Sequence, residues 1–311
     1  MAITTLDRRQ LLLRGAALIA AAVAAGHPVR LSAEDLADLE VASAGSMRWM
    51  LGGPLKTSVA TALHLGLHTH AQGADAVAKL IVSGQLRADV FIPITASPML
   101  TVMHAGKADA ARPIARTELV LVYSPKSRFA ARFAAAANGR ANWWEILQEP
   151  GLRIGRGDPT GDPGARAIIF AMMLAAKKYH QPDLVRRTLG AALNPQQIIP
   201  GVQARLHSGE LDASTSYKTG VASSQLPYVT LPADINLSRL DVQAKHPDIS
   251  LLIGGKTYYP EPLVFYAAAL EGGANPRGAA AFLQWLAGPQ AQALFHQHQF
   301  VRPGAAATLR A

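Results

Sequence analysis

Short apolar runs alternate with stretches of helical spacing along most of the chain. Leu39–Ala44 (LEVASA) reads as a strand that stops at Gly45-Ser46, and the Ala/Leu/Met-rich residues from about Met47 to Leu65 predict a helix behind it. Asp75–Ser83 has apolar residues at helical spacing, and Ala88–Ile94 (ADVFIPI) reads as a buried strand. Strand, helix, helix and strand in this order imply an α/β sheet. Glu118–Tyr123 (ELVLVY) is a further strand, ended by Ser124-Pro125, and Asn142–Leu147 is a short helix. Leu152–Gly155 opens another strand, followed by a Gly/Pro/Asp loop to Gly164 and a strong helix over Ala165–Tyr179. Next come a helix over Gln197–Ser208 and strands at Leu211–Tyr217, Tyr228–Leu231 and Pro262–Leu270. Asn275-Pro276 opens an amphipathic helix with Ala279, Phe282, Leu283 and Leu286 on one face, and a last helix covers about Pro289 to His298. No internal repeat occurs. The halves read as two α/β lobes, between which the chain crosses more than once.

Ahead of the first strand lies a run of different character. Asp7-Arg8-Arg9-Gln10-Leu11-Leu12-Leu13-Arg14-Gly15 leads into small apolar residues up to Ala25. A charged segment, a short apolar stretch and small residues before His27 are the layout of an export signal. The Arg8-Arg9 pair followed by leucines resembles the twin-arginine signal, read by a pathway that exports folded proteins. A general secretory route, with the arginines supplying only charge, stays open. The run is shorter than the ~20 residues of a membrane-spanning helix. Residues 1–25 are therefore expected to be cleaved and the mature protein to be periplasmic, with an uncleaved anchor as the alternative.

Half of the 311 residues are apolar and 16% are charged, as in a compact globule. The length accommodates two lobes of ordinary domain size. There are no cysteines, which excludes disulfides, thiolate metal sites and thiol nucleophiles. The formal net charge of +9 favours anionic partners. The basic residues are scattered, with neither a dense stripe nor a nucleic-acid-binding motif, so no nucleic acid is expected as a partner.

Two strand-to-helix loops are candidate binding elements. Gly45-Ser46 offers backbone N–H groups and a hydroxyl at a helix start, a natural anion site, although an ordinary N-cap serine has the same form. The loop Gly155-Arg156-Gly157-Asp158-Pro159-Thr160-Gly161-Asp162-Pro163-Gly164 places Asp162 before an N1 proline, as an N-cap would be. It is not a P-loop, because no Gly-Lys-Ser/Thr follows. Open α/β sheets bind ligands beyond the carboxyl ends of their strands, so two such loops facing one another would form an anion cleft. His64 and His68, whose i, i+4 spacing could place both on one helical face despite Gly66 between them, invite a metal test, with His70 close behind. No Glu completes a His-Glu-x-x-His motif, and no metal or other cofactor is expected. No catalytic triad order or carboxylate pair stands out.

At these loops the chain resembles the extracellular solute-binding proteins of ABC importers, most closely the molybdate/tungstate-binding branch. The likeness runs from Leu39 to Arg302 and rests on segments in shared order. They are Ala44-Gly45-Ser46, Ala88-Asp89-Val90-Phe91, Glu118–Ser127, Asp158-Pro159-Thr160-Gly161-Asp162-Pro163, Gly209-Glu210-Leu211-Asp212, Tyr217–Ala222 and Leu231–Leu237. The resemblance implies an α/β fold of the two-lobed periplasmic binding protein type (type II-like), with hinge strands between lobes. Lobe one would comprise residues 38–120 plus 230–311, and lobe two residues 121–229. It also implies that Gly45 and Ser46 hold an oxyanion from lobe one, with Asp162 and Tyr217 facing it from lobe two. A second lobe-one hydroxyl would be Thr95 or Ser97; Pro93 stands where the family often has serine. Ser216 occupies a position that is normally Glu in some archaeal relatives, and Arg166 adds a charge near the Asp-Pro loop.

The implied function is capture of molybdate or tungstate for an ABC importer permease, by a monomer that is not an enzyme. The same class binding sulfate, another tetrahedral anion or a small organic acid is the alternative. An extracytoplasmic enzyme acting on an anionic substrate is a more distant one.

Overall fold

The computed structural model describes residues 37–311, so the export signal read in residues 1–25 lies outside the described residues. Strands β1 (Ala37–Ala44), β2 (Leu65–Gln72), β3 (Val90–Ile92), β4 (Ala110–Arg116), β10 (Val264–Ala269) and β11 (Leu309–Arg310) form one sheet, in the order β11-β4-β10-β3-β1-β2. A second sheet holds β5 (Leu119–Tyr123) between β6 (Ala213–Tyr217) and β7 (Tyr228–Thr230). A separate hairpin pairs β8 (Leu251–Ile253) with β9 (Lys256–Tyr258).

β1 and β3 run parallel, with Val41 opposite Val90 and Ser43 opposite Ile92, while β10 is antiparallel to both β3 and β4. All five residues of β5 are buried. A continuous apolar run of this kind suits a central strand covered on both faces, and β5 is antiparallel to both neighbours.

Each sheet has its own core. Leu51, Phe265, Phe282 and Phe295 pack together on the six-stranded sheet, and Phe133, Ile168, Phe170 and Met172 on the three-stranded one. Each fully buried large side chain contributes about 1.5–3 kcal/mol relative to exposure. The chain passes from the first core to the second at Thr117-Glu118, between β4 and β5. Thr117 N–H donates to the Leu263 carbonyl at 3.1 Å, so the two crossing segments lie side by side. Leu231, Ile235, Leu237, Val242, Ile249, Leu251 and Leu263 all pack in the second core. Side chains up to Leu263 thus pack with the three-stranded sheet, beyond the lobe boundary expected at 230. The polar connector from 232 to 250 carries its apolar residues singly, and only their shared core reveals where they belong.

Two readings between residues 47 and 72 change. The helix expected from Met47 to Leu65 is two helices, Arg48–Gly52 and Pro54–Leu63, separated by Gly53 at φ −129°, ψ −100°. His64 then turns left-handed (φ 55°), and the His-rich segment that follows is strand β2. His64 and His68 therefore do not share a helical face. His68 Nε2 meets Asp38 Oδ1 at 2.8 Å in the open, and no cluster of three or more metal-ligating side chains occurs among the described residues. The helix expected from Gln197 starts only at Val202, because Pro200 and the left-handed Gly201 (φ 67°) precede it.

Candidate ligand-binding cleft

Gly45 and Ser46 follow β1 directly and open a 3-10 turn, Gly45–Met47, that leads into the Arg48–Gly52 helix. Tyr217 ends β6 in the other sheet and starts the Lys218–Ser224 helix. These two strand ends meet across a cavity of about 740 Å³ that Gly45, Ser46, Trp49, Thr215, Ser216 and Tyr217 help to line. The Ser46 Oγ and Tyr217 hydroxyl are both buried and have no hydrogen-bond partner among the described residues. A buried hydroxyl without a partner costs about 1–3 kcal/mol, which makes both candidate donors to a bound group.

Asp162 sits beside Tyr217. A smaller cavity of about 190 Å³ is lined by Asp162, Gly164, Ser216 and Tyr217 together. A Cβ at Gly164 would lie 3.0 Å from the Tyr217 hydroxyl and 3.2 Å from Asp162 Oδ1, so the two groups share the space over that glycine. Asp162 is also the N-cap of the Pro163–Lys178 helix: Gly164 N–H donates to its Oδ1 at 2.9 Å, with Pro163 at the first helical position. One oxygen is thus committed to capping, while Oδ2 faces the Gly157 side, where a Cβ would stand 3.4 Å away. Burial pushes the Asp162 carboxyl above the ordinary aspartate range, against the Gly164 bond and the charge of Arg166. Burial and the nearby Asp162 raise Tyr217 well above the ordinary tyrosine range, so its hydroxyl stays protonated and can donate.

Thr95 and Arg166 belong to a neighbouring polar group. Thr95 lines a narrow gap with Pro163, Arg166 and Glu261, and its buried Oγ1 has no partner among the described residues. The Ser97 backbone N–H donates to Glu261 Oε1 at 2.9 Å. Arg166 is occupied elsewhere: its Nη2 lies 2.6 Å from Asp75 Oδ2, its Nη1 donates to the Pro159 carbonyl at 2.8 Å, and its guanidinium stacks 4.1 Å from the Tyr258 ring centre. Ser216 Oγ donates to the Tyr217 carbonyl at 3.2 Å. The structure therefore brings Gly45, Ser46, Ser216 and Tyr217 to one cavity and Asp162 to the next. Thr95, Ser97 and Arg166 gather behind Asp162-Pro163.

Sequence reasoning missed Asp75, Glu261 and Arg156. Asp75 reads as an acid in the first turn of an ordinary helix, and nothing local marks it as a partner of Arg166, 91 positions further on. Glu261 carried one usable signal, its place between Pro260 and Pro262. Burial raises its carboxyl, opposed by Ser97. Arg156 is 3% exposed, its guanidinium donates to the backbone carbonyls of Gly157, Ala192 and Asn194, and it borders the smaller cavity.

The sequence profile of the bacterial extracellular solute-binding proteins matches residues 39–301. A solute-binding protein of Petrotoga mobilis is 30% identical over 194 residues, which cover 59% of this chain and 58% of that one. The molybdate/tungstate-binding protein WtpA of Pyrococcus abyssi is 28% identical over 214 residues, covering 61% of each. The matched regions thus span about three-fifths of these relatives' length. Among solved structures, the periplasmic molybdate-binding protein of Azotobacter vinelandii superposes with a TM-score of 0.60 at 18% identity, covering 85% of this chain and 99% of that one. The sulfate-binding protein SubI of Mycobacterium tuberculosis also reaches 0.60, at 14% identity, covering 87% and 88%. These two likenesses concern the fold, that of a two-lobed α/β binding protein. With two sheets meeting at a donor-lined cleft and a profile match over most of its length, this chain belongs to the bacterial extracellular solute-binding protein family.

Proposed function

We propose that the protein captures an oxyanion, molybdate or tungstate, in this cleft outside the cytoplasm and delivers it to an ABC importer permease. The observation that carries the reading is the pair of buried, unpartnered hydroxyls, Ser46 Oγ and Tyr217 OH, offered to one cavity from the two sheets. Neutral donors fixed in a low-dielectric site hold an anion without a full counter-charge, because each hydrogen bond to a charged group is worth about 1.5–3 kcal/mol. The names of the Pyrococcus relative and the Azotobacter neighbour support the choice of anion. The protein acts as a monomer, binds without turnover and is exported by its N-terminal segment. Among the described residues no helix is long and apolar enough to cross a membrane.

Calorimetric titration of the protein lacking residues 1–25 tests the reading. Stoichiometric binding of molybdate or tungstate, with a rise in melting temperature, is expected; no response to molybdate, tungstate or sulfate overturns it. Tyr217→Phe removes one donor and keeps the ring, so its molybdate affinity should fall about 10-fold or more. Equal affinities would take the Tyr217 hydroxyl out of the site.

One observation favours a second reading. A 740 Å³ cavity is large for a bare tetrahedral ion and within the range of sites for small organic molecules. A small organic anion is therefore the second candidate. Competition of citrate-like or phosphate-ester probes against molybdate in the same titration separates the two.

A further inference from the structure

Asp75 and Arg166 form the one ion pair among the described residues that is buried on both sides, with side chains 9% and 3% exposed. The others leave at least one partner substantially in water. The two residues come from different lobes. Asp75 lies in the first turn of the Ala74–Val82 helix, whose Val77, Ala78 and Ile81 pack with Phe91 of β3. Arg166 lies in the Pro163–Lys178 helix, whose neighbouring Ala167, Ile168 and Ile169 pack in the second core. Right beside them the lobes touch through backbone, where Ala76 N–H donates to the Gly161 carbonyl at 3.3 Å. All of this borders Asp162.

Arg166 is held from its own lobe before Asp75 is considered. The Pro159 carbonyl and the Tyr258 ring fix its guanidinium. A fixed, buried cation is costly without a counter-charge, and removing one partner of a buried pair leaves the other charge uncompensated. In this structure Asp75 lies against it, and moving the lobes apart would separate the two and let water reach both. We propose that Asp75 and Arg166 form a charge clamp across the cleft that holds the lobes closed and sets how long a bound solute stays. Neither residue need touch the solute: both act through lobe position. The proposal rests on the solute-binding reading but not on which solute binds.

Charge pairs that are desolvated in the bound state act mainly on the dissociation rate. Asp75→Asn and Arg166→Gln should each raise the molybdate off-rate about 30-fold or more while the on-rate changes less than about threefold. Asp75→Glu, which keeps the charge, should lie nearer wild type, and the double variant should recover part of the loss because no lone buried charge remains. The chain has no cysteine, so Lys56→Cys and Arg140→Cys, both exposed and one in each lobe, accept spin labels cleanly. Pulsed electron spin resonance on this labelled protein, with and without molybdate, should show a larger open fraction in both single variants than in wild type. Lys177→Gln, which breaks the exposed Lys177–Asp248 pair inside lobe two, should leave the distances unchanged. Wild-type distances and off-rates in both single variants would overturn the clamp. Opening in the variants of a protein that ignores molybdate would keep the clamp and remove the oxyanion reading instead.

Discussion

Gly73→Ala is expected to fold as the wild type does and to lose molybdate affinity about 100-fold, equivalent to roughly 3 kcal/mol. Gly73 follows β2 and caps the Ala74–Val82 helix at φ −56°, ψ 128°, a conformation open to any residue. Its lack of a side chain is therefore not a backbone requirement. What it permits is contact: a Cβ there would lie 2.5 Å from the Gly161 carbonyl oxygen and 3.2 Å from Asp162 Cβ, in the opposite lobe. Alanine forces those segments apart, because the Gly161 carbonyl is backbone and Asp162 Cβ is bonded directly to backbone, so neither can swing aside as the end of a flexible side chain would. The clash vanishes when the cleft opens, so the unliganded protein relieves it by opening. A solute would then be held by one lobe and lose the donors of the other, at about 1.5–3 kcal/mol for each hydrogen bond to an anion. Calorimetry gives the affinity and a thermal melt without ligand gives the fold. Wild-type affinity in Gly73→Ala would mean that Gly73 and Gly161 do not approach one another in the bound state.

Asp212→Asn should cost about 2–4 kcal/mol of stability at neutral pH. Asp212 is 1% exposed and accepts from Ser127 Oγ (2.8 Å), the Arg153 backbone N–H (2.8 Å), Arg153 Nε (2.9 Å) and Arg153 Nη2 (2.9 Å). It joins the start of β6 to the segment that bridges to it at Ile154, so it braces the strand that ends at Tyr217. Asparagine keeps the shape but turns an amide N–H₂ towards groups that donate. Burial alone would raise the Asp212 carboxyl, yet the Arg153 and Ser127 hydrogen bonds outweigh it and hold the group below its ordinary value of 3.8. A depressed carboxylate stabilises the fold above that ordinary value, and the contribution is lost as the pH falls through the depressed one. Urea unfolding should therefore separate wild type from Asp212→Asn widely at neutral pH and less as the pH drops below 3.8. A gap that does not narrow in acid would show that Asp212 acts by packing and not by its charge.

Much of the fold was legible because its central elements carry strong local signals. LVLVY of β5 is apolar at every position, which only a central strand tolerates, and Asp162-Pro163 announces a helix start that the structure has. The segment LHLGLHTH begins inside the expected helix because the Ala/Leu/Met-rich run before it continues to Leu65, although Leu63, Leu65 and Leu67 alternate as in a strand. The sheet edge beside β1 settled it, with Leu65 and Leu67 turned inward and His68 outward. The helix Ala96–His104 and strand Ala110–Arg116 were not read at all, since Ser97-Pro98 and Pro113 look like breakers in isolation. Within the candidate site, Ser46 and Asp162 could be singled out because each stands at a strand-to-helix junction, and Tyr217 only through the family resemblance. Arg166 could be noticed but not assigned, because its role depends on a residue 91 positions away.

Local pattern and family motifs by themselves determined the α/β class, the two-lobed plan and the strand-to-helix loops. Those properties follow from side-chain periodicity and short-range capping, which are written into neighbouring residues. Tertiary structure alone decided where the connector 231–263 packs, which oxygen of Asp162 is spent on its own helix, and that Arg166 answers to Asp75. Such choices depend on burial and on charges meeting across two lobes, and desolvation acts only once distant parts of the chain exclude water together.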